Sequence, residues 1–335
     1  MTLDAELLHD QAIIIDACCP VIDAMEHLDL CIKGGLTAVA PSVASIESPS
    51  VTLRKIGRWI REINKRDDLL LVRTAGDILK AKREGKLGII MHFQGTDPLE
   101  DKLDYLDAYK ALGVGVIQLA YNTKNRIGDG CEELVDSGVS RLGVRMIKRM
   151  NEIGVIVDCS HTGERTTLDA INLSTAPVVV THANAKALQA SPRNLSDTVI
   201  KEIAASGGVV GAVSFPGFIS PDTRPSLDQF VDHIAYMADL VGIDHVGLGL
   251  DHSDVQFPFC DDEYARRIYV ELLEDGTWST DSYPEPPYYG PVGLETPADY
   301  SNLTVHLLKR GFSHDDVEKV MGQNWMRVYR AVWGE

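Results

Sequence analysis

The sequence predicts a (β/α)8 TIM barrel, a fold of the α/β class, and three observations support this prediction. Short runs rich in β-branched residues recur along the chain, and segments with apolar residues at helical spacing separate them. Parallel strands joined by crossover helices produce this alternation. The length of 335 residues fits eight such units, because barrels of this kind routinely exceed about 250 residues. An open, doubly wound sheet is the alternative that the same pattern allows.

Eight runs have the composition and length of buried strands. They are residues 12–17, 36–43, 87–93, 114–120, 154–159, 177–181, 208–214 and 245–250. Between them, apolar residues recur three and four positions apart, which is typical of helices that pack on one side. These predicted helices are residues 52–64, 101–112, 140–153, 165–171, 197–206 and 227–241. Eight strands favour a closed barrel over an open sheet.

The chain after the last strand departs from the repeat. Residues 284–297 are rich in Pro, Gly and Tyr, which predicts a long loop, either a lid or a loop that faces the substrate. Residues 298–310 and 314–333 then predict two terminal helices, the second preceded by Ser313 and with acidic residues in its first turn. No segment has the composition of a linker. The sequence therefore predicts a single domain, residues 1–335, with helices at about 298–333 closing the barrel.

Composition and charge exclude several classes of protein. Apolar residues make up 44% of the chain and charged residues 24%, as in globular proteins. The net charge of −17 disfavours a nucleic-acid or anionic-membrane partner, since phosphate contacts need clustered Lys and Arg. The N-terminal segment is acidic and no apolar run is long enough to span a bilayer, so we expect a cytoplasmic protein. The six Cys residues include no CxxC pair and do not resemble a disulfide framework, so most are expected to be buried thiols.

Histidines and a carboxylate follow several predicted strands. His161 and His182 end the fifth and sixth strands, and Asp251 ends the eighth. In barrels of this kind, catalytic groups lie at the carboxyl ends of the strands. A single His at such a position is more often a hydrogen-bonded structural residue, but two on adjacent strands favour a metal, because imidazole and carboxylate are ordinary ligands of zinc. The sequence therefore predicts a metal site and hydrolytic chemistry.

Other polar residues at the strand ends allow two interpretations. Taken alone, Asp251 is as consistent with a structural role, as a loop cap or a partner of Arg, as with a catalytic role. Arg193 is consistent with a surface residue or with an anchor for a substrate carboxylate. His92 and His252 are interpreted as structural. Cys18 and Cys19 are interpreted first as buried residues of the apolar core, since Cys is among the most buried residue types.

Five local strings resemble one known family. The strings GVIVDCSH at 154–161, PVVVTH at 177–182, SPRNLSD at 191–197, GLGLD at 247–251 and PVGLETP at 291–297 are similar to those of the membrane (renal-type) dipeptidases. These are metallopeptidases of the amidohydrolase barrel superfamily. The resemblance runs from about the first strand to the last helix. It implies a metal-dependent hydrolase barrel in which two zinc ions support the cleavage of dipeptides.

The resemblance also implies roles for particular residues. In the family, an N-terminal His-x-Asp motif and the strand-eight Asp hold one metal, a strand-three Glu bridges both metals, and the His residues of strands five and six hold the second. His161 and His182 match the ligands of the second metal. Asp251 matches the aspartate that also handles the proton of the attacking water. Arg193 matches the residue that binds the substrate carboxylate.

Three departures from the family pattern change the expected metal site. Residues 18–20, Cys-Cys-Pro, stand where the family has His-x-Asp, Gln94 stands at the bridging Glu, and Tyr121 stands at the substrate-contacting His of strand four. The first metal thereby loses most of its ligands and their negative charge. We therefore predict one zinc ion per chain, with two or none as the alternatives. The expected ligands are His161, His182 and Asp251, together with Gln94 or Cys18.

The predicted function is zinc-dependent hydrolysis of a small amide, either a dipeptide or an N-acyl amino acid. Asp251 is the expected general base and Tyr121 the expected donor to the oxyanion. Arg193, Tyr121 and Asn122 are the expected substrate-binding residues. A homodimer is the expected assembly, on the general frequency of such oligomers.

Two other hypotheses remain open from the sequence. The replaced ligands at 18–20 and at Gln94 favour a degenerate barrel that binds a small molecule without turning it over. A metal-free enzyme is the third hypothesis, in which Cys18 or Cys19 acts as the nucleophile or Asp251 as a proton-transfer base.

Overall fold

The computed structural model describes residues 3–335. Its strands are β1 (Ile15–Asp16), β2 (Ala38–Val39), β3 (Ser42–Ala44), β4 (Leu69–Leu71), β5 (Leu87–Ile89), β6 (Met91–Phe93), β7 (Val114–Gln118), β8 (Ile156–Asp158), β9 (Val178–Val179), β10 (Val210–Ala212), β11 (Val246–Leu248), β12 (Gln256–Phe257) and β13 (Tyr288–Tyr289). Its α-helices are α1 (Leu3–Gln11), α2 (Leu28–Lys33), α3 (Pro49–Lys65), α4 (Ala75–Glu84), α5 (Leu103–Leu112), α6 (Arg141–Ile153), α7 (Glu164–Leu173), α8 (Asp197–Ala205), α9 (Pro216–Ile219), α10 (Leu227–Val241), α11 (Asp262–Glu274), α12 (Tyr300–Arg310), α13 (His314–Glu318) and α14 (Asn324–Trp333). No helix within residues 3–335 is both long enough and apolar enough to cross a membrane.

The predicted strands form a closed ring of parallel pairs. β1 pairs with β2, and the run that contains β2 and β3 pairs with the run that contains β5 and β6. The ring continues through β7, β8 and β9. Val180, which follows β9, pairs with Val210 of β10, and β10 pairs with β11. The Ala17 N–H donates to the Leu248 carbonyl at 3.1 Å and joins β11 back to the end of β1. The prediction of a (β/α)8 barrel is confirmed.

Helices with one apolar face pack around this ring. In α3 the buried residues Thr52, Ile56, Trp59 and Ile63 are spaced four, three and four apart, which places them on one side of the helix. All five residues of β7 are buried, as expected for a parallel strand covered on both faces. The helical spacing and the continuous apolar runs of the sequence therefore have the same cause, namely burial between two layers.

The last helix packs against the strands. Trp325 and Tyr329 of α14 pack in one buried cluster with Ile15, Val116 and Ile156, which come from three different strands. The Trp325 Nε1–H also donates to a strand carbonyl at 3.0 Å. Burying two large aromatic rings against the strands fixes α14 to the barrel.

The second terminal helix contains an interruption that the sequence did not predict. A π-helical turn, Lys319–Gln323, lies between α13 and α14. A Cβ at Gly322 would lie 2.3 Å from the Ile13 carbonyl oxygen, so only glycine allows the turn to approach the chain before β1. The turn brings α14 into contact with the strands.

Helices α4 and α11 were also absent from the prediction. The buried face of α4 consists of only Ala75, Ile78 and Ala81, and alanine gives a weak periodic signal. α11 buries only Ala265 and Tyr269, so its sequence is mostly polar. In both helices the starting residue is fixed by a side-chain cap, from Thr74 in α4 and Asp261 in α11.

Residues 254–290 form a cap over the carboxyl ends of the strands. The predicted loop at 284–297 is therefore only part of a larger excursion that includes β12, α11 and β13. The cap has its own aromatic cluster, in which Trp278 stacks on Tyr283 with ring centroids 3.9 Å apart. Phe215 and Phe218, which follow β10, pack into the same cluster. These contacts anchor the cap above the strand ends.

Candidate active site

Residues from the first, third and eighth strands meet at the carboxyl end of the barrel. The Gln94 amide Nε2–H donates to Cys18 Sγ at 2.9 Å, and the Cys18 thiol donates to Asp251 Oδ1 at 3.4 Å. The donor atoms of Cys18, His182 and Asp251 all lie within 4.8 Å of one another. The structure thus brings together residues that are far apart in the sequence.

Residues from the fourth, fifth and sixth strands complete the cluster. His161 Nε2 and His182 Nε2 are 2.8 Å apart. The Tyr121 ring stacks on the His161 ring, with centroids 4.2 Å apart and the planes 25° from parallel. The predicted site residues other than Arg193 therefore form one contiguous group around the two imidazoles, and Arg193 borders a cavity together with His161.

The backbone turns sharply where these side chains leave the strands. Asn122, His161 and Asp251 have φ angles of 52°, 60° and 57°, a left-handed conformation that non-glycine residues rarely adopt. Each such residue costs free energy, on the order of 1–3 kcal/mol, that the surrounding fold must offset. Strain of this kind concentrates at functional sites, and here it aims three side chains into one volume.

The outer nitrogen of His161 is fixed by Asn122. Asn122 Oδ1 accepts from His161 Nδ1 at 2.6 Å. The Asn122 amide Nδ2–H groups donate to the Thr277 carbonyl at 2.9 Å and the Tyr283 hydroxyl at 3.1 Å, which orients its oxygen toward the histidine. His161 therefore carries its proton on Nδ1, and Nε2 presents a lone pair. The predicted contact of Asn122 with substrate stays a prediction.

A buried network fixes His182 in the same way. Although burial opposes ionisation, the hydrogen bond from His92 lowers the pKa of Asp158 to about 2, so Asp158 is a carboxylate. The Thr181 hydroxyl donates to Asp158 Oδ2 at 2.6 Å and so can only accept from His182 Nδ1, at 2.8 Å. His182 Nε2 therefore also presents a lone pair. The interpretation of His92 as structural agrees with this role.

Two lone pairs that face each other at 2.8 Å repel unless a cation lies beside them. Burial lowers the pKa of both His161 and His182 well below the usual range, so a proton is not that cation. Zinc-ligating histidines are neutral and donate their other ring N–H to a hydrogen-bond acceptor, as both of these imidazoles do. With the Cys18 thiol and the Asp251 carboxylate adjacent, the donor set fits a divalent transition metal.

Gln94 and Asp251 border the same volume. In this structure Gln94 directs its amide nitrogen at Cys18 and is a hydrogen-bond donor there, so its predicted role as a ligand stays a prediction. Burial raises the pKa of Asp251 to about 7, against the opposing effect of the Arg193 guanidinium. Without a bound cation, the Asp251 carboxylate is thus costly to ionise.

Arg193 is buried and not a surface residue. It is only 2% exposed, and its Nε and Nη2 atoms have no hydrogen-bond partner among the described residues. Its guanidinium lies over the Phe218 ring, 5.2 Å from the centroid. A buried cation with unused donors favours an anionic ligand. The structure therefore excludes the alternative of a surface residue, and the role of Arg193 as an anchor stays a prediction.

Two cavities border the cluster. One, of about 290 Å³, is bordered by Gln94, Tyr121 and Asp251 and by cap residues that include Trp278 and Tyr283. The other, of about 740 Å³, is bordered by residues that include His161 and Arg193.

The cap residues were not among the predicted site residues. Trp278 Nε1–H donates to the Tyr121 hydroxyl at 3.3 Å, and Tyr283 accepts from Asn122. The only sequence signal was the density of aromatic and Pro residues near 284–297, which marked the loop but not these two rings.

Known proteins with the same sequence pattern and fold identify the family. The model of the membrane dipeptidase family (peptidase family M19) matches residues 22–283 and 287–333. Dipeptidase tcpJ of Claviceps purpurea (strain 20.1) is 30% identical over 269 residues, which are 79% of this chain and 56% of that protein. The chain thus spans little more than half the length of this curated relative.

Solved structures agree with this match. An amidohydrolase from Pseudomonas aeruginosa superposes with a TM-score of 0.91 at 35% identity, over 99% of each chain. A metallopeptidase from Rhodobacter sphaeroides, bound to a phosphinate mimic of the dipeptide L-Ala-D-Ala, has the same fold, with a TM-score of 0.78 at 19% identity over 96% of this chain and 100% of that one. This chain belongs to the membrane dipeptidase family, peptidase family M19, within the amidohydrolase barrel superfamily.

Proposed function

We propose that this protein is a zinc-dependent hydrolase of a small amide, a dipeptide or an N-acyl amino acid, that uses a single metal ion. The observation that carries the proposal is that His161 and His182 direct unprotonated Nε2 atoms at each other, 2.8 Å apart, while the Asp251 carboxylate lies within 4.8 Å of a ring nitrogen of His182. The names of the relatives support it: tcpJ is a dipeptidase, and the Rhodobacter protein binds a dipeptide mimic.

The ion would be held by His161 and His182, with Cys18 and Asp251 completing the set. When bound, zinc lowers the pKa of a coordinated water toward neutrality and polarises a carbonyl oxygen. Asn122 and the Asp158–Thr181 pair keep the two imidazoles in the required tautomer. This single centre replaces the pair of metals implied by the family pattern, because residues 18–20 and Gln94 no longer supply the second set of charged ligands.

Asp251 has the position of the general base. Its carboxylate lies on the border of the cavity next to Gln94 and Tyr121, where an attacking water can reach it. It takes the proton of that water and returns it to the leaving nitrogen. The left-handed backbone at Asp251 directs the carboxylate into the cavity instead of along the strand.

Tyr121 has a free proton to donate to the developing oxyanion. Its oxygen accepts from Trp278 Nε1–H, so the phenolic hydrogen is available for another partner. Burial raises the pKa of Tyr121 to about 12, which keeps the phenol protonated at neutral pH. Arg193 binds the carboxylate of the substrate, which compensates the buried guanidinium and sets the position of the scissile bond.

The direct test is the metal content of a His161→Ala, His182→Ala double variant. We expect it to lose one equivalent of zinc relative to the wild type by elemental analysis, together with amide hydrolysis, because both lone pairs are removed. A matched control is the His306→Ala, His314→Ala double variant, which changes two partly exposed histidines far from the site in sequence. Unchanged metal in the site variant would contradict the proposal. A wild-type protein that binds zinc but hydrolyses no member of a dipeptide and N-acyl amino acid library would favour a binding protein.

Replacing Tyr121 with phenylalanine is expected to lower kcat by roughly 10²-fold, the usual effect of removing one oxyanion donor. Zinc content should not change, because Tyr121 is not a ligand. Steady-state kinetics on a dipeptide measure the effect, with Tyr105→Phe, a partly exposed tyrosine, as the control. An unchanged kcat would assign the oxyanion contact to another group.

A further inference from the structure

A second cluster of metal-binding side chains lies beneath the active site. Donor atoms of Asp16, Cys19 and His252 lie within 4.8 Å of one another, and all three side chains are fully buried. The two clusters are built from neighbouring residues of the chain. Cys18 and Asp251 supply the active site, whereas Cys19 and His252 supply the second cluster.

Asp16 presents one oxygen to this cluster. Its Oδ1 accepts from the Leu250 and Cys18 backbone N–H groups at 2.9 and 3.2 Å. Its Oδ2 has no hydrogen-bond partner among residues 3–335. None of the ion pairs within the described part of the chain involves Asp16, so no basic side chain compensates it. A buried carboxylate with an unused oxygen favours a nearby cation.

His252 presents a lone pair to the same point. Its Nε2 lies 3.2 Å from the Leu294 carbonyl, which can only accept, so Nε2 carries the proton. Nδ1 is then unprotonated and has no hydrogen-bond partner in the described residues. A histidine that donates one N–H to a backbone carbonyl and offers its other nitrogen has the arrangement of a metal ligand.

A further thiol lies nearby on α2. The thiol of Cys31, also fully buried, interacts with the Cys19 thiol, but it lies outside the group of three donor atoms that are within 4.8 Å of one another. On the far side, the Tyr300 hydroxyl of α12 faces Asp16 without reaching regular hydrogen-bond geometry. The cluster thus joins the segments after β1 and β11 to two helices of the outer layer.

We propose that Asp16, Cys19, His252 and Cys31 form a buried structural zinc site, distinct from the active site. One carboxylate, one imidazole and two thiolates are a tetrahedral donor set of the kind that zinc prefers. Binding replaces the two thiol protons, which leave to solvent as the S–Zn contacts form. The ion compensates Asp16 and fixes the backbone that carries Cys18 and Asp251.

The test is the metal content of Cys19→Ser and His252→Asn variants, with Cys159→Ser, a buried thiol outside both clusters, as the matched control. We expect the wild type to bind about two equivalents of zinc and each cluster variant to lose one of them. The His161→Ala, His182→Ala variant should lose the other, so the two sites are distinguishable. A wild type whose only zinc disappears in the His161→Ala, His182→Ala variant would overturn the inference.

A second measurement starts from a variant in which the second cluster is intact. Cys18→Ser removes the thiol of the active site, so any thiolate-to-cobalt charge-transfer band in the Co²⁺-loaded Cys18→Ser protein must come from another sulfur. We expect the band to persist, and to disappear when Cys19→Ser and Cys31→Ser are both added. Absence of the band in Cys18→Ser, or a Cys19–Cys31 disulfide found by intact mass without reductant, would refute the site.

Discussion

An Arg193→Met variant should lose most of its activity on dipeptides while becoming no less stable than the wild type. We expect kcat/KM to fall roughly 10²- to 10³-fold, because removing one partner of a buried charge pair costs about 2–5 kcal/mol. In the absence of substrate, the variant should be as stable as the wild type or more stable. In the wild type, Arg193 is only 2% exposed and two of its donor atoms have no hydrogen-bond partner among the described residues. Replacing such a charge by an apolar side chain of similar length is often neutral or stabilising.

Kinetics on a dipeptide and on its C-terminal carboxamide, with thermal unfolding of the same samples, measure both effects. The wild type should prefer the free acid, and the variant should lose this preference, since the carboxamide offers no anion to Arg193. Arg126→Met, at a mostly exposed arginine, is the matched control. A variant that keeps the preference for the free acid would show that another group anchors the carboxylate.

An Asp251→Asn variant is expected to lower kcat by roughly 10²- to 10⁴-fold, the range for a general base. The amide is nearly isosteric with the carboxyl group but takes up no proton at neutral pH. Asp254→Asn, three residues further along the chain and on the border of the same cavity, is the control. Wild-type kcat in Asp251→Asn would exclude Asp251 as the base.

The same variant should change how the stability of the metal-free protein depends on pH. Burial raises the pKa of Asp251 from 3.8 to about 7 in the folded state, so the folded protein binds more protons than the unfolded chain between these values. Wild-type stability therefore falls as pH rises through this window. The amide of the Asp251→Asn variant does not titrate there, so the melting temperature of the variant minus that of the wild type should increase from acidic pH to pH above 7. Differential scanning fluorimetry in the presence of a chelator measures this difference in melting temperature. Melting temperatures of the variant and the wild type that change in parallel with pH would contradict the raised pKa of Asp251.

The sequence predicted the strands and the residues at their ends for one reason. Several of the buried strands are β-branched runs with polar residues just after them, so locating the run also locates side chains at the barrel mouth. His161, His182 and Asp251 were found in this way. A parallel barrel brings its carboxyl ends to one face, so their proximity followed from the fold class.

The supporting residues were less accessible from the sequence. Asp158 and Thr181 lie within strand runs, where a buried polar network has no periodic signature. Trp278 and Tyr283 lie in the cap, where α11 has few apolar residues and the packing depends on contacts distant in sequence. Cys19 and His252 were interpreted as a core residue and as structural, since the side to which each points depends on the turn at the strand end and not on composition.

The left-handed residues of the site have a consequence for how this protein can be altered. Asn122, His161 and Asp251 occupy φ angles that glycine adopts without strain. Glycine at any of them would relieve local strain in the folded state while deleting a side chain of the site. Random mutation followed by selection for thermal tolerance alone would therefore reduce catalysis first at these positions. A stabilised variant of this protein should retain all three residues.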